Sequence, residues 1–298
     1  MAEAVVLVSG GAAVTPFTDP DRAAGSGLAA GNTLTALRSH LLGRGAFVVT
    51  APARLGTGEV REDAGWQGFA DVDLVLPAEL TVNAVGTIDD GGSRLAAFLR
   101  WLGAEHDITD IDLVAHSMGG LFSRAAIREL RGAGPSVRRL ITLGTPWDGS
   151  LLGDVLSGDI GIADAHGDPG TIGILERSRS YAAENSQGAA DQVSHRFLQG
   201  WNTTQAGALD TVAVTAVGAG HFRAATDPDL LWPHDGLVSQ RSARADAVPP
   251  AVLPQVVRHS VDRDVHSIFF AEAFGLPWER ALTWDPEVFA VVDDALRS

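Results

Sequence analysis

The sequence predicts an α/β protein, with a mostly parallel central sheet and helices on both of its faces. Two observations predict this class: short apolar runs of strand length alternate with longer segments in which apolar residues recur at helical spacing, and the first of them form a β–α–β unit. No internal repeat is present. The first predicted strand is 5–9, and a predicted helix at 34–42 ends near Gly43. A second predicted strand at 46–51 completes a β–α–β unit.

The same alternation continues further along the chain. Residues 54–87 are Gly-rich and irregular. Further strands are predicted at 111–115, 137–143, 211–217 and 255–259, and further helices at 88–102 and 121–130.

The segment 147–208 interrupts this alternation. It is punctuated by Gly and Asp, it contains an amphipathic stretch at 172–197, and about 60 residues without a strand is long for a crossover. We interpret it as a helical cap or lid inserted within a single domain of residues 1–298. The alternative is that these residues form ordinary outer helices of the sheet.

The composition limits the classes of partner. The 298 residues are 45% hydrophobic and 20% charged, and a chain of this length can bury a large core. Lys and Arg number 22 against 37 Asp and Glu, for a net charge of −15. Nucleic acids and anionic membrane surfaces reward positive charge, so neither is an expected partner. No apolar stretch reaches the ~18 residues of a membrane span, and stable membrane insertion is not expected.

The absence of cysteine excludes disulfides, thiol catalysis and thiolate metal sites. It is compatible with a cytoplasmic protein and equally with a secreted one. The acidic start, Met1-Ala-Glu-Ala, precedes a short apolar run at 5–8 that lacks the basic region and the length of a signal peptide. The expectation is therefore a cytoplasmic protein, or a secreted one whose leader has been removed.

Ser117 is the strongest candidate for a catalytic residue. It ends the apolar run that begins at Leu113 and directly precedes a helix-like segment. A serine on so tight a strand-to-helix turn needs small residues two places before and after it, and Ala115 and Gly119 occupy these places. This pattern predicts a nucleophile elbow, although glycine is more usual at the earlier position. The alternative is a turn that happens to be rich in small residues.

A serine nucleophile needs a general base, and the base needs a carboxylate that orients it. In a parallel sheet that carries such an elbow, the acid and then the base follow the serine along the chain. Asp235 comes after the predicted strand at 211–217 and is the predicted acid. Asp227 and Asp229 are its rivals, but they flank Pro228 in a sequence typical of a turn.

His266 is the predicted base, because it follows the predicted strand at 255–259 and begins a helix-like run. His259 lies within that strand, and His221 and His234 lie before the predicted acid. Histidines of this kind are more often structural. His116 neighbours the nucleophile, but its ring should point away from it, which favours a packing or hydrogen-bonding role.

Acyl transfer through a serine produces an oxyanion that two backbone N–H groups must stabilise. Met118 should supply the first, because it directly follows the nucleophile. The second is expected from the glycine-containing loop at 9–13, with Gly11 the first choice and Ala12 the next. The alternative of a phosphate-binding loop is disfavoured, because the glycine spacing of dinucleotide and nucleotide-triphosphate sites is missing.

Taken together, these motifs resemble the α/β-hydrolases of the bacterial lipase and esterase type. The matching segments span most of the chain in the order of that family, and they are 8–11, 115–120, 142–150, 235–238 and His266. The resemblance implies an α/β-hydrolase fold, a catalytic triad of Ser117, Asp235 and His266, and an oxyanion donor at Gly11.

The chain departs from these relatives in the oxyanion loop, where they usually have His-Gly and this chain has Ser9-Gly10. Some lipases also hold a structural calcium near the catalytic histidine. Asp262 and Asp264 lie near His266, but two carboxylates fall short of the six to eight oxygen ligands that calcium requires. We predict no metal and no cofactor.

The predicted function is hydrolysis of a small-molecule ester, lipid-like or with another apolar acyl group, through an acyl-enzyme. Apolar residues of the cap and nearby loops should line the acyl pocket, with Trp147, Leu151, Leu152 and Ile172 as candidates. An acyltransferase would use the same triad, and a peptidase or amidase is a less favoured alternative. A non-catalytic binding protein on the same scaffold would have no need of an intact triad.

Overall fold

The computed structural model describes residues 2–13, 33–61, 75–184, 189–223 and 231–298. The strands are β1 (Ala2–Val8), β2 (Val48–Thr50), β3 (Ala53–Arg54), β4 (Val60–Arg61), β5 (Val75–Leu76), β6 (Val82–Asn83), β7 (Ile108–His116), β8 (Ser136–Leu143), β9 (Ala213–Ala219) and β10 (Val257–Val261). The α-helices are α1 (Thr35–Gly43), α2 (Ile88–His106), α3 (Gly119–Leu130), α4 (Leu151–Leu156), α5 (Pro169–Glu184), α6 (His195–Thr203), α7 (Gln240–Ala243), α8 (Ile268–Ala273) and α9 (Pro286–Arg297). Single 3-10 turns lie at Ala78–Leu80, Ile162–Ala165, Ala190–Val193 and Trp278–Arg280.

A six-stranded parallel sheet forms the centre of the molecule, in the order β10-β9-β8-β7-β1-β2. Two small sheets, β3-β6 and β4-β5, lie outside it. The register pairs Val8 with Ala115 and Ala115 with Thr142, so neighbouring strands end at about the same level. The carboxyl ends of β1, β7 and β8 therefore meet at one edge, and the α/β class predicted from the sequence is confirmed.

Helices cover both faces of the sheet. Successive residues of a strand point to opposite faces, so each strand contributes to two apolar cores. On β1, Val6 and Val8 belong to a core with residues of α2 and α3. Val5 and Leu7 belong to a second core with residues of α1 and α9. Strands buried on both faces explain the nearly continuous apolar runs in the sequence.

The described part of the segment 147–208 is helical and contains no strand. Leu151 of α4 and Ile174 of α5 belong to a third apolar cluster with Val265 and with Ile268 of α8. The segment thus packs beside the chain that follows β10, and its interpretation as a cap stays a prediction. Within the described residues, no helix has the length and apolar character needed to cross a bilayer.

Candidate active site

Ser117 stands at the turn between β7 and α3, in a backbone conformation that side chains rarely adopt. Its φ is 54°, in the left-handed region. Its N–H donates to the carbonyl of Leu143 over 2.9 Å, and the Thr145 hydroxyl donates to its carbonyl over 2.8 Å. Hydrogen bonds from the neighbouring strand end therefore hold the strained residue in place.

The turn at Ser117 is possible because glycines allow two backbone segments to pack closely against each other. A Cβ on Gly119 would lie 2.5 Å from the carbonyl oxygen of Val8 and 2.6 Å from that of Ser9. A Cβ on Gly10 would lie 2.6 Å from the Cβ of Ser117. These distances are shorter than any side chain tolerates, so α3 and the loop after β1 approach each other only because of the two glycines.

Asp235 and His266 form a buried hydrogen-bonded pair. The Nδ1 of His266 lies 2.7 Å from the Oδ2 of Asp235. The Oδ1 of Asp235 accepts the backbone N–H groups of Leu237 and Val238 over 2.9 and 2.7 Å. The backbone N–H of His266 also donates to the Asp235 carbonyl over 2.8 Å. The carboxylate is an acceptor, so it places the ring proton on Nδ1 and leaves Nε2 with a lone pair.

Ser117 and His266 border the same cavity, which has a volume of about 1160 Å³. The Nε2 of His266 is buried and has no hydrogen-bond partner among the described residues. The structure thus brings together a constrained serine and an imidazole with a free lone pair, oriented on its other side by a carboxylate.

Met118 and Gly11, the predicted oxyanion donors, border this cavity as well. A Cβ on Gly11 would lie 3.5 Å from the Sδ of Met118 and 3.9 Å from its Cβ, so the two residues are neighbours. The N–H of Ala12 donates to the carbonyl of Ala84 over 3.0 Å, which makes Ala12 the weaker candidate. Within the described chain, the amides of Gly11 and Met118 donate to no backbone carbonyl or side chain.

Of the four residues predicted to line the acyl pocket, Leu152 borders the cavity and the other three do not. Trp147 is fully buried in the same core as Val6 and Val8, and its indole N–H donates to the Thr142 hydroxyl over 3.1 Å. Leu151 is buried in the third apolar cluster, and Ile172 is half-buried beside it. Adjacent helical residues point in different directions, and this separates Leu151 from Leu152.

Comparison with known proteins agrees with this architecture. Residues 94–157 match the model of the PGAP1-like alpha/beta domain. The product of gene lin2722 from Listeria innocua superposes with a TM-score of 0.53 at 14% identity, over 99% of this chain and 94% of that one. The mature form of lipase BlEst2 from Bacillus licheniformis superposes with a TM-score of 0.51 at 17% identity, over 89% and 86% of the two chains. This chain has the α/β-hydrolase fold.

The propeptide form of the same Bacillus lipase also shares the α/β-hydrolase fold, with a TM-score of 0.53 at 17% identity. The superposition covers 97% of this chain and 49% of that one. No curated protein matches the chain in sequence.

His116 contacts His266, a neighbour that the sequence did not reveal. Its Nε2–H donates to the backbone carbonyl of His266 over 2.9 Å, and the two ring centroids lie 4.7 Å apart. Burial, and then the neighbouring His266, lower the pKa of His116 to about 3. His116 is thus a neutral hydrogen-bonding residue, as its position next to the nucleophile suggests.

The rival bases His234 and His259 have other partners or lie away from the cavity lining. His234 is buried, accepts the Gly236 N–H at Nδ1 over 3.1 Å and contacts the Thr171 hydroxyl through Nε2 over 3.0 Å. His259 lies within β10, away from the cavity lining. Asp227 and Asp229 lie outside the described residues.

The carboxyl groups considered for calcium lie near cationic side chains. Asp262 lies 2.9 Å from the guanidinium of Arg223 and accepts the Gln240 side-chain amide over 3.0 Å. Asp264 is buried within 3.8 Å of Arg263 and 3.6 Å of Arg280. Among the described residues, no three His, Asp or Glu side chains group as metal ligands.

Proposed function

We propose that the chain is a carboxylic ester hydrolase in which Ser117 is the nucleophile, His266 the general base and Asp235 the orienting acid. One observation carries the proposal: His266 has its Nδ1 bound to a buried carboxylate and its Nε2 unpaired, and it borders the same cavity as Ser117. A base oriented on one side and free on the other is what a serine hydroxyl needs for activation.

In the first step the Ser117 Oγ attacks the carbonyl carbon of the ester, and the Nε2 of His266 takes the hydroxyl proton. The imidazolium that forms is stabilised by Asp235, which lies 2.7 Å from Nδ1 and receives two further backbone N–H groups. The carbonyl oxygen becomes an oxyanion, for which the backbone N–H groups of Met118 and Gly11 are the proposed donors. Collapse of this intermediate breaks the ester bond, and His266 returns the proton to the leaving alcohol.

In the second step water attacks the acyl-enzyme. His266 takes a proton from that water, and the tetrahedral intermediate is held by the same two donors. Its collapse releases the carboxylic acid and regenerates the Ser117 hydroxyl, which recovers the proton from His266. Each proton transfer uses the single free nitrogen of His266.

The cavity favours an ester with an apolar acyl group. Leu152, Ile174, Val193 and Leu237 are among the residues that border it. A volume of about 1160 Å³ is at or above the upper end of the range typical of small-molecule sites, so it has room for a long acyl chain.

The first test is hydrolysis of nitrophenyl esters from acetate to palmitate by the native chain and by Ser117→Ala. Loss of the nucleophile should lower kcat by about 10⁴-fold or more. Ser123→Ala is the matched control, because Ser123 is a buried serine of α3 whose hydroxyl donates to the Gly119 carbonyl outside the cavity. It should retain activity.

Covalent labelling tests directly whether Ser117 is the nucleophile. A fluorophosphonate should add to the native chain at Ser117, as shown by the mass of the labelled peptide, and should not add to Ser117→Ala. If the folded native chain neither hydrolyses esters nor is labelled, the proposal is wrong. Ester products that appear when an alcohol is added would identify an acyltransferase instead.

A further inference from the structure

The cavity differs in charge from the rest of the molecule. The chain has 37 acidic and 22 basic residues, yet no Asp or Glu is among the described residues that border the cavity. Apart from His116 and His266, the one ionisable side chain of that lining is Arg177. A lining whose described residues include a guanidinium and no carboxylate favours anions even in an acidic protein.

Arg177 belongs to the side of α5 that faces the cavity. Ile174, nearly one turn earlier, and Ser178, the next residue, are both buried and border the same space. Arg177 itself is exposed, at the place where this side of the helix meets solvent. A ligand in the cavity can therefore reach its guanidinium.

The guanidinium has no anionic partner within the described part of the chain. Its one interaction there is with Phe274, whose ring centroid lies 5.5 Å from the Cζ. Other arginines do pair with carboxylates, such as Arg128 with Asp89 at 3.0 Å and Arg138 with Asp112 at 2.7 Å. The charge of Arg177 is therefore left available.

Contact with the Phe274 ring orients the guanidinium without using its donors. An aromatic face attracts the guanidinium through its π-electrons, and the N–H groups along the edges remain free. Those edges match the two oxygens of a carboxylate or of a phosphate, which they bind through paired hydrogen bonds. An orientation fixed in advance reduces the entropy lost when such a group binds.

We propose that the ester substrate carries an oxyanion, a carboxylate or a phosphate, that Arg177 binds while the ester lies at Ser117. The substrate class is thus an anionic amphiphile, with an apolar part for the cavity lining and a charged group for Arg177. This inference rests on the proposed ester hydrolysis and identifies its substrate class. Arg177 is a specificity-determining residue and takes no part in the bond-breaking steps.

The test compares charged esters with uncharged partners of similar length. On the acyl side, 4-nitrophenyl hydrogen esters of the dicarboxylic acids from succinic to suberic are paired with the uncharged terminal amides of the same length. On the alcohol side, hexanoyl esters of 3-hydroxypropanoate and of 2-hydroxyethyl phosphate are paired with the butyl ester. The quantity measured is the ratio of kcat/KM for the charged ester to that for its uncharged partner.

Arg177→Gln should lower this ratio about tenfold in at least one pair, the loss expected for a charged hydrogen bond. Arg177→Lys should restore part of it, because the charge remains, whereas a purely structural role of the planar side chain would give no such recovery. Arg179→Gln is the matched control, since Arg179 lies on the exposed side of α5 and does not border the cavity. Added salt should lower the ratio in the native chain.

The pair that responds identifies the oxyanion as carboxylate or phosphate and places it on the acyl or the alcohol side. If the ratio in Arg177→Gln changes no more than in Arg179→Gln for every pair, the inference about the anion is wrong while ester hydrolysis stands. If no ester is hydrolysed at all, the proposed function fails, and binding decides the anion inference separately. In that case calorimetry with Ser117→Ala should show tighter binding of the charged esters, and the additional change Arg177→Gln should abolish the difference; equal binding would overturn the inference.

Discussion

At the scale of single residues, the conformation of Ser117 requires a glycine nearby, at position 119. Its positive φ is stabilised by hydrogen bonds with Leu143 and Thr145, and α3 begins two residues later, directly against the end of β1. Gly119 permits that approach, since any Cβ there would meet two backbone carbonyl oxygens at 2.5 and 2.6 Å. Backbone atoms cannot turn aside as a flexible side chain can. The position of Ser117 therefore depends on the absence of one methyl group.

Gly119→Ala should lower the free energy of unfolding by about 2 kcal/mol or more, because a methyl group forced into closely packed backbone causes strain. Gly173→Ala is the matched control, because Gly173 is also helical and a Cβ there meets nothing within 4 Å. That variant should gain about 0.5–1 kcal/mol from the better helix propensity of alanine. Urea denaturation of both variants measures the difference between their free energies of unfolding. Equal free energies of unfolding would show that the close approach does not constrain the turn.

At the scale of elements, Arg124 joins α3 to the helical segment between β8 and β9. Its guanidinium is fully buried between the rings of Trp147 and Trp201, at 4.5 and 4.8 Å from their centroids. Its Nη2 donates to the side-chain oxygen of Asn202 over 2.7 Å, and Asn202 in turn donates to the Trp147 carbonyl over 3.0 Å. Burial lowers the pKa of Arg124 to about 9. The stacked guanidinium of Arg124 thus connects α3 to α6.

Arg124→Lys should destabilise the protein by about 2 kcal/mol, because a buried ammonium is harder to desolvate and cannot stack flat between two indoles. Arg128→Lys, on the same helix but partly exposed, should change the free energy of unfolding by less than about 0.5 kcal/mol. Urea denaturation distinguishes the two variants. If Arg124→Lys is no less stable than Arg128→Lys, stacking between the two tryptophans contributes little.

Strands and helices could be predicted from the sequence where a local hydrophobic pattern determines them. Apolar runs located the inner strands of the large sheet, whereas β10 is mostly exposed. β9 and β10 begin two residues later than predicted. The delay at β9 has a local cause, since the Val212 N–H donates to Leu209 in a turn. Trp147 was misplaced because its partners, Arg124 and Trp201, are distant in sequence. A large aromatic residue near the elbow was predicted to face substrate, whereas long-range stacking draws it into the core.

At the scale of the whole molecule, the residues of the candidate site lie at one edge of the parallel sheet. β7, β8, β9 and β10 are neighbours in order, so residues that follow β7, β9 and β10 converge although the chain between them is long. Ser117, Asp235 and His266 follow those three strands, and Gly10 follows the adjacent β1. Convergence at this edge buries polar groups, and some of them then titrate differently in the folded and unfolded chains.

His116 links this burial to the pH dependence of stability. Its pKa is lowered to about 3 by burial and by His266, with Asp235 acting in the opposite direction, whereas an unfolded histidine titrates near 6.5. Between these values the unfolded chain binds a proton that the folded chain does not, so stability falls as the pH falls. Asp264 acts in the opposite sense, because burial raises its pKa to about 8 and the folded chain retains a proton there. The contribution of His116 therefore appears only as a difference between variants.

The free energy of unfolding of the native chain minus that of His116→Gln should decrease by about 1 kcal/mol for each pH unit from about 6 down to 4. Glutamine does not titrate, and its side-chain amide can still donate to the His266 carbonyl, so the subtraction removes the other groups. Ser123→Ala is the control, because it changes a buried side chain that does not titrate, so its difference from the native chain should not vary with pH. Denaturation at a series of pH values supplies all three curves. A difference for His116→Gln that is equally flat would mean that this histidine takes up a proton in the folded protein, and its hydrogen bond to the His266 carbonyl would then join a cation to the candidate site.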